Sequence, residues 1–294
     1  MKVVVTNDDG IESEGLDALT RVVVERGWEV TVIAPDQDVS GSSAAIWRCA
    51  SGDTLELRPA ARDVGGAAAA YTLNGPPGLA ALVACRGALG EEPDLVLSGA
   101  NIGANTGHAI LHSGTVGAAL TAASFGVSAL AVSAAVAWPM RWERIAGPVH
   151  LALDLLVDAP KATVLSLNVP EQVAAETALR WARLDRFGAV RVAVGRRGAT
   201  NLQLEYRDTG HELDPECDTA LLAAGFATLT ALEGITATTL ERREVANGAR
   251  AIEPAVVAGP PSAGSEGAAG QARPPLRRHR RPARRDAYGE RIPE

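Results

Sequence analysis

Two adjacent carboxylates, Asp8 and Asp9, stand between Asn7 and Gly10 directly after a short apolar run at residues 3–6. Two negative charges side by side in a tight loop are costly unless something positive lies near them. A hard divalent cation, Mg²⁺ or Mn²⁺, would offset them, because such ions take oxygen ligands. The alternative is local: one aspartate caps the following helix and the other is solvated. A second polar loop, residues 35–43, carries Ser40 and Gly41. A hydroxyl is a neutral ligand for metal or phosphate and a glycine lets backbone approach closely, but the same residues also make an ordinary turn.

A third loop, residues 98–107, alternates glycines with Asn101 and Asn105. An asparagine offers a carbonyl oxygen to a metal and amide hydrogens to a phosphate, and it also tolerates left-handed turns. A fourth stretch, His112-Ser113-Gly114-Thr115, opens a helix. Free N–H groups and the helix dipole make such a start an anion site, with Ser113 and Thr115 as further donors; either hydroxyl is equally an N-cap. His108 and His112 are four apart without the HExxH pattern of a zinc site, and either could donate a proton to a leaving group.

The four loops need a frame that brings them together. Apolar strand patterns at residues 3–6, 28–34, 94–98, 128–134 and 163–169 alternate with helical patterns at 15–27, 77–89, 115–125 and 148–157. Weaker strand signals lie at 54–58 and 70–74. This alternation predicts an α/β fold: a Rossmann-like, doubly wound, mostly parallel sheet. Such sheets bind ligands at the carboxyl ends of their strands, which is where the polar loops fall. Beyond residue 185 the pattern becomes a hairpin-like excursion at 189–206, a short helix at 218–224 and a strand at 226–232. From residue 254 the chain is rich in Pro, Gly and Arg without apolar periodicity, and reads as a disordered tail over 254–294.

Composition excludes several classes. The net charge is −7, and the eight arginines from residue 254 onward leave the body more acidic still, a poor surface for nucleic-acid polymers. Cys49, Cys85 and Cys217 are few, scattered and odd in number, against a disulfide framework or a zinc site and in favour of a reduced, cytoplasmic setting. Residues 95–140 carry no charged side chain, yet their Gly, Ala, Ser and Asn content suits a buried α/β core better than a membrane span. No GxGxxG follows the first strand, which argues against a nicotinamide-dependent oxidoreductase.

Taken in order, VTNDDGI at 5–11, APD and SGSS within 34–43, SGANIGAN at 98–105, HSGTVGAA at 112–119 and LNVP at 167–170 resemble the SurE family of metal-dependent nucleotidases. Residues 218–232 look like that family's late helix and strand, so the resemblance runs from residue 1 to about 232. It implies one divalent ion, Mg²⁺ or Mn²⁺, on Asp8, Asp9, Ser40 and Asn101, with Asp8 or Asp9 taking a proton from water. It implies that Asn7, Gly41, Asn105, Ser113, Gly114 and Thr115 surround a phosphate. The implied reaction is hydrolysis of nucleoside monophosphates, with polyphosphate a further substrate for some members. The alternatives are a phosphatase for another phosphorylated metabolite, or a non-catalytic binding homologue. The implied assembly is a homodimer or homotetramer, with residues 1–253 as the phosphatase domain and about 185–253 as oligomerisation elements. The chain departs from the family at Val39, at Gly75-Pro76-Pro77-Gly78-Leu79 in place of GTPAD, at Leu120-Thr121 where a Glu is usual, and at His112 where a Tyr is usual.

Overall fold

Val3 and Val5 point to one side of their strand and Val4 to the other, and all three are buried, so the first strand is covered on both faces. The computed structural model describes residues 1–47, 52, 54–171, 179–186, 190–197, 201–208 and 212–236. The strands are β1 (Lys2–Thr6), β2 (Glu29–Pro35), β3 (Leu57–Pro59), β4 (Ala69–Leu73), β5 (Leu95–Ile102), β6 (Ser128–Ala134), β7 (Val164–Val169), β8 (Leu179–Trp181), β9 (Val190–Arg197), β10 (Asn201–Asp208) and β11 (Ala227–Leu232). The helices are α1 (Glu14–Glu25), α2 (Pro77–Cys85), α3 (Gly114–Ser124), α4 (Ala146–Asp158) and α5 (Asp218–Ala223). Short 3-10 helices cover Gly107–His112 and Trp142–Ile145.

Nine strands form one sheet in the order β3-β4-β2-β1-β5-β6-β7-β11-β8. The pairs from β4 through β2, β1, β5 and β6 to β7 are parallel; β3 runs antiparallel to β4, and β11 antiparallel to β7. The sheet is thus mostly parallel, as its alternating pattern predicts. β9 and β10 form a separate antiparallel pair, the expected hairpin. The expected tail, 254–294, lies outside the described residues.

Two apolar layers flank the sheet. On one side Leu16, Leu19 and Val23 of α1 and Val149, Leu153 and Leu156 of α4 pack on Val3, Val5, Leu97 and Leu130. On the other, Leu79 and Val83 of α2 and Val116, Ala119 and Ala122 of α3 pack on Val4, Ile33, Val96 and Ala129. Within the uncharged stretch 95–140, β5, α3 and β6 form the middle of this sandwich while the segments around residues 108–112 and 136–138 are largely exposed, and no helix among the described residues is long and apolar enough to cross a membrane. Leu153 is fully buried. Leu153→Ala is expected to cost about 2–5 kcal/mol, read as a lower denaturant midpoint with unchanged secondary structure.

Several boundaries differ from the sequence expectation, two of them with a local cause. α2 stops at Cys85 rather than 89 because Gly87 turns the chain with φ +68. β5 extends past 98 to Ile102 through a register shift between Ser98 and Asn101. Gly99 (φ +128) makes that shift possible, since a Cβ there would collide with the Val132 carbonyl.

β1 is the point where the winding reverses, with β2 on one side and β5 on the other. A crevice at the carboxyl ends of β1 and β5 follows from that order. Asp8 and Asp9 leave β1 there, and Asn101 lies at the matching end of β5.

Candidate active site

Asn7 closes the loop after β1: its Nδ2 donates to the Gly10 carbonyl at 3.0 Å. Its Oδ1 is buried and without a partner. Asp8 is buried beside the start of α3 and accepts from the Thr115 hydroxyl at 2.5 Å. The backbone N–H groups of Gly114 and Thr115 also donate to it. Burial is the strongest influence on Asp8 and lifts its carboxyl above the ordinary value, while these donors pull the other way. The anion held at this helix start is therefore the Asp8 carboxylate, where the sequence alone suggested a phosphate.

Asp9 is pushed up to about 6, first by burial, then by the charges of Asp8 and Asp38, with the Ile102 N–H opposing. Its Oδ2 is buried and unpartnered, as is the Ser42 hydroxyl. The Asp9 carboxyl, the Asn7 carbonyl and the Ser42 hydroxyl thus bring oxygen atoms without partners to the end of β1. A buried polar atom without a partner is costly, and a cation would relieve it. The donors are hard oxygens, which fits Mg²⁺ or Mn²⁺ rather than a thiophilic metal. No group of three His, Cys, Asp or Glu suited to a metal occurs among the described residues, so any ion here would rest on two carboxylates and neutral oxygens. Mg²⁺ commonly binds through one or two carboxylates.

The remaining candidates divide. Asn101 spends its amide hydrogens on the carbonyls of Gly103 (2.8 Å) and Ile102 (3.3 Å), and so would present Oδ1 to a cation. Ser40 is exposed, and its hydroxyl and N–H both donate to Asp38 Oδ1, at 2.7 and 2.8 Å. Gly41 has open space where a Cβ would stand, so its φ of +81 rather than close approach is what the turn requires. Asn105 is clamped to the neighbouring strands: its N–H reaches Asn168 Oδ1 and its Nδ2 reaches the Ser133 hydroxyl, both at 2.8 Å. Ser113 caps α3, accepting from the Val116 N–H at 3.1 Å. His108 and His112 are exposed on the 3-10 helix, and neither ring bonds Asp8 or Asp9.

Glycines let α3 and the 39–45 loop close over Asp8. A Cβ on Gly114 would stand 2.7 Å from both Asp8 Oδ2 and Ser42 Oγ. One on Gly117 would collide with the Ser43 backbone, and one on Gly78 would stand 2.7 Å from the Ala45 carbonyl. The altered segment Gly75–Leu79 is therefore a buttress under the serine loop. Thr115→Val removes a buried donor to a carboxylate, a bond worth about 1.5–3 kcal/mol. That variant is expected to lose at least about tenfold in turnover while keeping its circular dichroism; full activity would mean that the bond does not position Asp8.

Sequence reasoning missed four contributors. Asp38 restrains Ser40 and raises Asp9; its only signal is the short Asp-x-Ser spacing of a side-chain turn. Ser42 was one serine among three. Trp138 lines an open cleft of about 630 Å³ together with Asp9, Asp38, Glu12, Ser13, Glu14, Ile102, Pro139 and Met140, and no periodicity marks it. Asp218 is buried and accepts from the N–H groups of Gly107, Asp185 and Thr219, at 2.8, 2.9 and 2.8 Å. Burial, the largest influence, raises its carboxyl despite these three donors.

The family model described as "Survival protein SurE" matches residues 3–189. A 5'-nucleotidase SurE of Chloroflexus aggregans is 34% identical over 243 residues, 79% of this chain and 93% of that protein. One of Wolbachia pipientis is 32% identical over 172 residues, 58% of this chain and 64% of the relative's own length. The crystal structure of the SurE protein from Aquifex aeolicus superposes with a TM-score of 0.66 at 26% identity, covering 79% of this chain and 93% of that one. A family model that spans most of the chain, together with a relative 34% identical over 93% of its own length, leads to one assignment: the chain belongs to the SurE family.

Proposed function

We propose that the chain is a metal-dependent phosphomonoesterase that hydrolyses nucleoside monophosphates to nucleoside and phosphate, the type of activity for which its relatives are named. The observation that carries this reading is the Asp8–Asp9 pair, raised above ordinary carboxylate values and set among unpartnered oxygens at the carboxyl end of β1. Asp8, Asp9 and Asn101 would hold the ion, with Ser40 joining if its hydroxyl exchanges Asp38 for it. When bound, the ion neutralises charge on the phosphoryl oxygens and lowers the pKa of a water. Asp8 or Asp9 would take the proton of the attacking water. Gly41, Asn105 and Ser113 are the residues assigned to the phosphate. Gly114 and Thr115 would act through Asp8, which they orient, and Asn7, whose unpartnered Oδ1 is an acceptor, would serve a cation rather than the phosphate.

Residues 1–253 are assigned to the catalytic domain and the cytoplasm to its location. A two-stranded hairpin with Val194 and Leu202 exposed has no core of its own, which supports 185–253 as the elements of a homodimer or homotetramer. Phosphate release from nucleoside monophosphates and sugar phosphates, in Mn²⁺, in Mg²⁺ and in EDTA, tests the reading. Metal-dependent release from nucleotides is expected. Metal-dependent binding without release from any phosphomonoester would make the chain a binding homologue instead.

A further inference from the structure

The open cleft beside Asp9, about 630 Å³, is within the range of about 300–1,000 Å³ that small-molecule sites occupy. Its chemistry is one-sided. Trp138, Met140 and Ile102 give it an apolar wall, and Glu14 and Asp38 give it acceptors and negative charge; the Glu12 carboxylate at its edge is ion-paired with Arg62 at 3.1 Å. No lysine or arginine lines it among the described residues. Trp138 is 84% exposed, the most exposed tryptophan described. A bare indole face of that size is an efficient surface for stacking a planar ring. The acidic wall repels a second phosphate but accepts an uncharged group that carries N–H donors.

We infer that Trp138 is the platform on which the heterocyclic base of the substrate stacks, and that this cleft selects single-phosphate esters of nucleosides against polyanions. The inference rests on the phosphomonoesterase reading for its phosphate end, and on the cleft alone for its base end. With the phosphate against Asp9, the leaving nucleoside extends along the wall formed by Ile102 and Met140. A nucleoside polyphosphate or an inorganic polyphosphate would instead bring added negative charge against Glu14 and Asp38.

The test compares wild type, Trp138→Ala and Trp138→Phe on AMP, ribose 5-phosphate and inorganic tripolyphosphate in Mg²⁺. The ratio of kcat/KM for AMP to that for ribose 5-phosphate is expected to fall roughly tenfold in the alanine variant, mostly through KM, and to recover in the phenylalanine variant. A merely structural role would lower both substrates in parallel and leave the ratio constant, which overturns the platform. Tripolyphosphate turned over as well as AMP overturns the charge selection. Calorimetric binding of adenosine, which carries no phosphate, reads the platform without turnover. Binding weakened in Trp138→Ala and kept in Trp138→Phe supports it, even if every ester fails to be hydrolysed and the phosphatase reading falls. Equal binding by wild type and the alanine variant overturns it while that reading stands.

Discussion

Asp9→Asn is expected to reduce phosphate release by about 10²–10⁴-fold, the usual range for loss of a positioned acid–base group. The fold should survive, because asparagine keeps the shape and removes a charge the site resists. In metal-free protein the Asp9 carboxyl is raised from 3.8 to about 6. A raised folded-state pKa favours the protonated form. Its contribution to stability is therefore complete below pH 3.8 and is lost as pH rises through about 6. In EDTA the melting temperatures of wild type and variant should lie close together near pH 4, and the variant should melt higher by pH 7. Added Mg²⁺ or Mn²⁺ should then raise the wild-type Tm more than the variant's, since a ligand that binds only the folded state stabilises it. Full turnover in the variant, or a Tm difference that does not change with pH, would remove Asp9 from the centre of the site.

Gly114→Ala is the second large effect. The added Cβ would stand 2.7 Å from Asp8 Oδ2, 2.8 Å from Asp8 Cβ and 2.7 Å from Ser42 Oγ. None of these atoms is the free end of a long side chain, and Asp8 is pinned by Thr115. Something must shift, and displacing a reacting group by about 1 Å costs on the order of 100-fold in rate. Overpacking should also cost about 1–3 kcal/mol of stability. Gly147→Ala is the matched control: it lies in α4 with no atom near the new Cβ, so it should be neutral or slightly stabilising. Wild-type turnover in Gly114→Ala would show that α3 is not seated on Asp8 during the reaction.

The parallel core was legible because its strands are buried on both faces: residues 128–134 are apolar or small throughout, and the observed β6 has the expected bounds. The edge beyond β7 was less legible. β8 is three residues long, with one apolar side chain half-buried and two exposed, and its pairing with β11 depends on contacts 48 residues apart. At the site, NDDG announced its own chemistry because two adjacent carboxylates are unusual without a cation. The role of Thr115 could not be read from its position, since a hydroxyl at a helix start serves a cap, a phosphate or a carboxylate equally well. Its partner lies 107 residues away. Cys217 gave no hint that its sulfur would cap α5, accepting from the Ala220 N–H at 3.4 Å. Cys49 lies outside the described residues.

Asp218 receives amide hydrogens from the 3-10 helix after the asparagine loop, from residue 185 and from its own helix. The His108 N–H adds a bond to the Asp185 carbonyl at 3.0 Å. Detaching α5 would strip the partners from several amides at once and leave a buried carboxylate without donors, so partial opening here is disfavoured. The amides of Gly107 and His108 should thus exchange with solvent hydrogen at the rate of the last helix and strand rather than at that of a surface loop. The rim of the candidate site and strand β11 would then behave as one unfolding unit.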